Sequence, residues 1–312
     1  MRKEIRVFAP ATVSNVGCGF DVMGFALDTP GDEIVLRTTQ RSGITITKIT
    51  GDEGKLTLDP EKNTAGVPLI EMCREFGIKC GIEIEIHKKM PFGSGLGSSA
   101  ASAVGAAFAL NHLFELNLSN KELLRFAQAG EMIASGSEHA DNVAPCLYGG
   151  FILIRGYKPV DIVTLSAPEN LFCTVIHPHI EISTKESRKL LPESIPINDA
   201  IAQWGNCAAL VAGLLTGDYE LIGRSIEDRF AEPVRGKFIP QYNQIKEAAL
   251  MSGALGCNIS GSGPSVFALS SDIETAKKVG IAMKCQLDKI ELASDIYISG
   301  INHKGPKIIE LI

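Results

Sequence analysis

The chain has 312 residues, 45% of them hydrophobic and 21% charged, with a formal net charge of −6. That length holds one large or two medium domains with real cores. The acidic balance speaks against a nucleic-acid partner but leaves room for a local basic pocket. Residues 1–10 carry Arg2, Lys3, Glu4 and Arg6 and have no apolar stretch, so no signal peptide is expected. The run Ser98 to Leu110 is too short and too rich in small residues to span a bilayer. Eight scattered cysteines with no C-x-x-C pair fit reduced thiols in a cytoplasm, not a disulfide framework or a zinc site.

In chain order, Ile5 to Phe8, Asp32 to Thr38 and Ile44 to Ile49 read as strands. A turn at Asp59 to Asn63 precedes an amphipathic helix running to Phe76, which Gly77 closes. Ile82, Ile84 and Ile86 alternate with Glu83, Glu85 and His87, the pattern of a half-buried strand. Small apolar residues from Ser98 to Leu116 predict a helix, and Ser119 caps another from Lys121. Gly149 and Gly150 turn into a strand over 151–154, and Pro159 and Pro168 flank the next. A soft domain boundary falls near residue 165, giving domains 1–165 and 166–312. The second part reads as strands at 171–176, 266–269 and 296–298 with helices at 201–216, 239–251 and 272–284. Helices and strands mix without regular βαβ spacing, so the fold class is α+β.

The most informative segment is Pro91-Phe92-Gly93-Ser94-Gly95-Leu96-Gly97-Ser98-Ser99-Ala100-Ala101, between a strand and a helix. A glycine-rich turn feeding a helix N-terminus aims unpaired N–H groups and the positive end of the helix dipole at one point. The consequence is an anion site, most usefully a phosphate site. It is not a Walker A loop, because no Lys follows the glycines. Nor is it the dinucleotide fingerprint, since Gly93, Gly95 and Gly97 have the wrong spacing. Close helix–sheet packing suffices to explain Ala101 and Gly105. The pair His177 and His179 has no third ligand nearby in sequence and makes a weak metal site.

Three segments together resemble the GHMP kinases, a superfamily that includes galactokinase, homoserine kinase and mevalonate kinase. Pro91 to Ala101 is similar to their ATP-binding motif. Ala9-Pro10-Ala11-Thr12-Val13-Ser14-Asn15-Val16-Gly17-Cys18-Gly19-Phe20-Asp21 is similar to the N-terminal motif, and Asn258 to Ser265 to the C-terminal glycine-rich motif. Glu138 to Pro145 and Glu232 to Lys237 resemble the homoserine kinase branch in particular.

The resemblance implies a two-domain α+β fold, an N-terminal domain like ribosomal protein S5 domain 2 and a ferredoxin-like C-terminal domain. It implies transfer of phosphate from ATP to L-homoserine, in threonine biosynthesis, by a cytoplasmic homodimer with neither nucleic-acid nor membrane partners. ATP would be held by Asn63 and the loop Pro91 to Ala101, and Mg²⁺ by the oxygens of Ser99 and Glu131. The acceptor is a zwitterion, which needs a cationic fork for its carboxylate and an anion for its ammonium. By resemblance, Arg188 and Arg235 supply the first and Asp21 the second, while Asn15 and His139 orient the amino acid. Asp141 is the candidate general base, beside Asn142; homoserine kinases are thought instead to let the γ-phosphate take the proton. Each of these residues also has a plainer role open to it: Glu131 and Arg188 on solvated helix faces, Asp21 in a turn, His139 as a structural histidine. Two other functions stay open at this point, another small-molecule GHMP kinase acting on a sugar or shikimate, and a non-catalytic GHMP-like binding protein.

Overall fold

The computed structural model describes residues 3–136 and 139–312. Glu138, within one of the motif segments, lies outside the described residues. The first layer is a sheet containing β1 (Glu4–Ser14), β2 (Met23–Thr39), β3 (Ile44–Thr50), β4 (Gly81–His87), β5 (Phe151–Tyr157) and β6 (Val160–Leu165). Helices α1 (Gly66–Phe76), α2 (Ser98–Leu113), α3 (Asn120–Ser135) and α4 (Val143–Tyr148) complete this half. In β4 the three isoleucines are buried and Glu83, Glu85 and His87 are half-buried, as the alternation predicts. Arg37 of β2 ties the polar face together, bonding Glu4 on one side and Glu85 on the other.

The central helix α2 lies on β1 and β2, flanked by α1 and α3. It is apolar all round, so it sits in the middle of the core rather than on its surface. Its alanines and Gly105 let the backbone come close to the sheet. A Cβ added at Gly105 would stand 2.8 Å from Ile34 Cγ1 and 3.3 Å from Ala9 Cβ.

The second layer begins after Leu165 with β7 (Phe172–Pro178), α5 (Thr184–Lys189), α6 (Ile197–Thr216), α7 (Tyr219–Ser225), α8 (Glu232–Arg235) and α9 (Tyr242–Met251). It continues with β8 (Gly256–Ile259), β9 (Val266–Ser270), α10 (Ile273–Asp288) and β10 (Ser294–Gly300). The sheet order β10-β7-β9-β8, antiparallel throughout, is the ferredoxin-like arrangement of a β-α-β-β-α-β unit. The last strand, β11 (Lys307–Leu311), leaves this layer and pairs with β1. A boundary at 165/166 therefore leaves out one return crossing.

The strands β1 and β2 run further than their local sequence predicts. β1 continues through Pro10 to Ser14 because residues 24–26 offer it a partner, with the register shifting between Pro10 and Thr12. A proline lacks a ladder donor and is tolerated at such an irregularity. The helix predicted from residue 201 starts at Ile197, directly after Pro196.

Close approach of α2 predicts that Gly105→Leu lowers the free energy of unfolding by about 1–3 kcal/mol through overpacking. Urea denaturation of wild type and variant measures the difference.

Candidate active site

The three motif segments meet. Thr12 N–H donates to Leu96 O at 3.0 Å, Gly261 N–H to Ser14 O at 3.2 Å, and Ser260 Oγ to Gly95 O at 2.7 Å. Gly95 and Gly97 have φ of 75° and 68°. A Cβ at Gly95 would be 2.5 Å from Ser260 O, and one at Gly97 2.0 Å from Thr12 Oγ1. Both positions thus need glycine for conformation and for room. Asn142 bridges the same junction: its Oδ1 accepts from Thr12 Oγ1 at 2.7 Å and its Nδ2 donates to Ser14 Oγ at 3.1 Å.

The loop is anchored at both ends by one carboxylate. Asp32, fully buried, accepts from Lys88 Nζ, from Lys89 N–H at 2.7 Å, from Met90 N–H at 3.3 Å and from Ser98 Oγ at 2.8 Å. Lys88 Nζ also donates to Ser98 O at 2.7 Å and Ser102 Oγ at 2.8 Å. Sequence reading missed both residues, since each looks like an ordinary residue beside a strand.

A cavity of about 390 Å³ opens over the loop. Of the predicted nucleotide residues, Phe92 to Gly95 and Gly97 to Ser99 line it. Leu96, Ala100 and Ala101 are instead buried in the core, and Pro91 lines a neighbouring cavity. Asn63 does not line it either. Its side chain donates to Thr57 O and accepts from Ala65 N–H, while Leu56 and Thr64 line the cavity wall. Ser94 Oγ is buried with no hydrogen-bond partner among the described residues. A hydroxyl in that state, at a glycine-rich helix N-terminus, fits an incoming phosphate oxygen.

Glu131, on α3, accepts from Ser99 Oγ at 3.1 Å. Burial pushes its carboxyl up to about 7, opposed by the Ser99 hydrogen bond. Two hard oxygen donors at the loop suit a Mg²⁺ ion that takes its remaining ligands from phosphate and water. Histidine offers no competing site: His177 Nδ1 contacts Ser265 Oγ at 3.2 Å and His179 Nε2 contacts Asp295 Oδ2 at 3.0 Å. Among the described residues no group of three metal-ligating side chains forms.

The predicted acceptor residues line the same cavity. Asp21 Oδ1 accepts from Arg188 Nη2 at 2.6 Å, and its Oδ2 is 3.6 Å from His139 Nδ1. Asn15 Oδ1 accepts from Asp21 N–H at 3.0 Å, and its Nδ2 donates to Gly261 O at 3.0 Å. Asn15 and Asp21 both hold positive φ, 69° and 60°. Tyr157, not foreseen, pins this turn by donating to Asp21 O and accepting from Ala140 N–H. Burial lowers the His139 pKa, opposed by the charge of Asp21.

Arg235 is 4% exposed, yet among the described residues it forms no ion pair. Its Nη1 donates to Gly261 O at 3.0 Å, and its buried Nε has no acceptor. Burial first, and then the charge of Arg188, lower its pKa. Phe20 is a further residue the motif reading passed over. Its ring centre lies 5.3 Å from the Cζ atoms of both Arg188 and Arg235. A ring face attracts guanidinium charge and so offsets the repulsion of two convergent arginines. Asp141 is 5% exposed, and burial, then the charge of Asp21, push its carboxyl up to about 7.

A glycine-rich loop at a helix N-terminus, on this two-layer frame, suits an enzyme that handles small phosphorylated molecules. Residues 64–150 match the GHMP kinases N terminal domain and 210–289 the GHMP kinases C terminal domain. Homoserine kinase of Chlorobium phaeobacteroides (strain BS1) is 48% identical, covering 98% of this chain and all of its own. The crystal structure of homoserine kinase from Cytophaga hutchinsonii ATCC 33406 is 56% identical, with a TM-score of 0.97 over 99% of this chain and 98% of that one. L. major mevalonate kinase, at 17% identity and a TM-score of 0.71 over 94% and 95% of the two chains, shares the fold. The chain belongs to the GHMP kinases and, within them, to the homoserine kinase family.

Two predictions follow from the charges. Asp32→Asn leaves Lys88 a buried cation without its counter-ion. Breaking such a pair costs about 3–5 kcal/mol, read as a lowered urea midpoint. The second concerns Glu131 and Asp141, both raised from the ordinary carboxyl range to about 7. Between the unfolded and folded values the native state holds more protons, so stability falls as pH rises. Their contribution is full below about pH 4, declines to about pH 7 and is level above. In magnesium-free buffer, the stability difference between wild type and a Glu131→Gln/Asp141→Asn variant should shift against wild type across that window. A pH-independent difference would show ordinary titration of both.

Proposed function

We propose that this chain transfers the terminal phosphoryl group of ATP to the side-chain hydroxyl of L-homoserine, giving O-phospho-L-homoserine and ADP for threonine biosynthesis. The observation that carries the acceptor is Arg235, a buried guanidinium without an ion-pair partner among the described residues, on the wall of the phosphate-loop cavity. A neutral sugar would leave that charge desolvated and unmatched. An amino acid supplies the missing carboxylate. It can also open the Arg188–Asp21 pair, its carboxylate joining Arg188 and its ammonium joining Asp21, so that each protein charge keeps a partner. Asn15 fixes Asp21 through its backbone, and His139, beside Asp21, offers a ring nitrogen to the amino acid.

The loop N–H groups and Ser94 hold phosphate oxygens, and Lys88 fixes the loop through Ser98. Ser99 and Glu131 hold Mg²⁺, which supplies charge neutralisation to the transferring group when bound. Glu131 must lose its proton to do so, which makes metal affinity rise with pH toward neutrality. Asp141 takes the hydroxyl proton, its near-neutral carboxyl suiting it to that role. We assign the enzyme to the cytoplasm, where both substrates are made, and to a homodimer.

The acceptor is tested with Arg235→Leu. Losing a charge-assisted hydrogen-bonded partner costs roughly 1.5–3 kcal/mol, about a ten- to hundredfold drop in kcat/KM for homoserine, with the KM for ATP nearly unchanged. The penalty should largely vanish on a homoserine ester, which lacks the carboxylate charge. Equal losses on both substrates would place Arg235 in the fold or the nucleotide site, and wild-type turnover of galactose or shikimate equal to that of homoserine would refute the acceptor itself.

Proton acceptance is tested with Asp141→Asn. General-base catalysis contributes on the order of 10²–10⁴, so kcat should fall by at least about a hundredfold and lose its acidic limb near neutrality. A kcat within a few-fold of wild type would assign the proton to the phosphoryl oxygens.

A further inference from the structure

Residues 181–188 run along the cavity wall from the glycine-rich loop to the turn that holds Asp21. At the start of this segment Glu181 lies against the loop: a Cβ added at Gly93 would stand 3.7 Å from Glu181 Cγ. At its end Arg188 donates to Asp21 at 2.6 Å. Between them Ser183 caps α5, accepting from Glu186 N–H at 3.3 Å. Lys185 stands in the first turn of that helix, three residues before Arg188. Residues at that spacing share a helix face, and both line the cavity. Lys185 is thereby placed between the loop proposed for the ATP phosphates and the residues proposed for the acceptor.

The other cations on this wall are engaged. Lys88 has three ammonium protons to give, and Asp32, Ser98 O and Ser102 Oγ accept them. Arg188 pairs with Asp21, and Arg235 donates to Gly261 O. On α5 itself Glu186 pairs with Lys189 at 2.7 Å. The Lys189 hydrogen bond, followed by its charge, lowers the Glu186 carboxyl most, and the charge of Lys185 does so least. Among the described residues Lys185 Nζ forms no ion pair and no hydrogen bond. Three charge-assisted donors on the cavity wall are thus left for something other than protein.

Phosphoryl transfer asks for positive charge in that place. A bond forms from the acceptor oxygen to the γ-phosphorus, and the bond from that phosphorus to the β–γ bridging oxygen breaks. The bridging oxygen leaves on ADP, and the hydroxyl proton passes to Asp141 as above. Negative charge lies on the non-bridging oxygens of the group in transit. A cation held beside them lowers the barrier where it binds the transition state more strongly than ATP. An ammonium serves as a point charge there and gives up no proton.

We propose that Lys185 contacts the γ-phosphoryl group as it is transferred, and so is a catalytic residue of this chain. The proposal rests on the phosphoryl-transfer reading above, and on homoserine only for the identity of the receiving oxygen.

Nucleotide binding and turnover test it on the full chain with Mg²⁺ present. Calorimetry compares ADP with a non-hydrolysable ATP analogue that carries the third phosphoryl group. Lys185→Gln should bind the analogue about tenfold more weakly than wild type, the loss of a charge-assisted hydrogen bond, and should bind ADP as wild type does. Its kcat with homoserine should fall on the order of a hundredfold. Lys185→Arg keeps the charge and should recover part of both losses. Lys189→Gln, on the same helix, should match wild type. The Lys185 side chain is exposed, so each variant should keep the wild-type urea midpoint. Equal weakening of ADP and analogue would put Lys185 on the earlier phosphates and overturn the proposal. So would a kcat within a few-fold of wild type, a loss confined to the homoserine KM, or no recovery in Lys185→Arg. The binding comparison needs no acceptor. Failure of the homoserine reading would show instead as wild type inactive on homoserine, with the contrast between ADP and analogue still measurable.

Discussion

One buried carboxylate organises the catalytic half of this protein. Asp32 receives donors from Lys88, Lys89 and Met90 on one side of the glycine-rich loop and from Ser98 on the other. It closes the loop as a ring, with β2 as the fixed point. Glycine-rich backbone is entropically costly to order, and a loop that must present N–H groups to an anion cannot be left to wander. The other contacts of the loop, from Thr12, Ser260 and Ser265, come from elements that are themselves held by the two sheets. The loop is therefore tied at its ends to a strand and along its length to both layers.

The cavity wall carries both signs of charge. The loop brings N–H groups and hydroxyls, and Glu131, Asp21, Arg188 and Arg235 line the same space. A net charge of −6 for the whole chain says nothing of this local pattern. The two carboxyls that burial raises to about 7, Glu131 and Asp141, are both on the cavity wall. In both, burial is the largest cause, and a neighbouring carboxylate adds to it. Asp21 stays near its cations instead, which suits it to binding a charge.

Much of this was legible in the residues. The alternation of β4, the Ser119 cap and the small-residue character of α2 each reflect local physics: β4 falls where expected, α3 starts one residue earlier at Asn120, and α2 stops at Leu113, short of the expected Leu116. The glycine loop was readable because its chemistry is in its backbone. What escaped depends on distant partners. β11 has the unremarkable sequence Lys-Ile-Ile-Glu-Leu and is a strand because β1 is there to receive it. Asp32 reads as a strand-end acid until the loop folds over it. Phe20 and Tyr157 act on groups that lie far along the chain, Arg188, Arg235 and Ala140. Resemblance supplied the residues proposed for the acceptor, which spacing alone could not, because Asp21, His139, Arg188 and Arg235 come to one cavity only in three dimensions.

The pairing of β11 with β1 also has a consequence for synthesis on the ribosome. β1 is made well before β11, and its outer edge finds its partner only when residues 307–311 have been made. Until then the growing chain carries an open strand edge, and such edges invite pairing with other chains. The first sheet can collapse around α2 early, but it stays unsealed for most of translation. The order of the strands, apart from the stability of the finished fold, thus sets how long that edge is open to pairing with other chains.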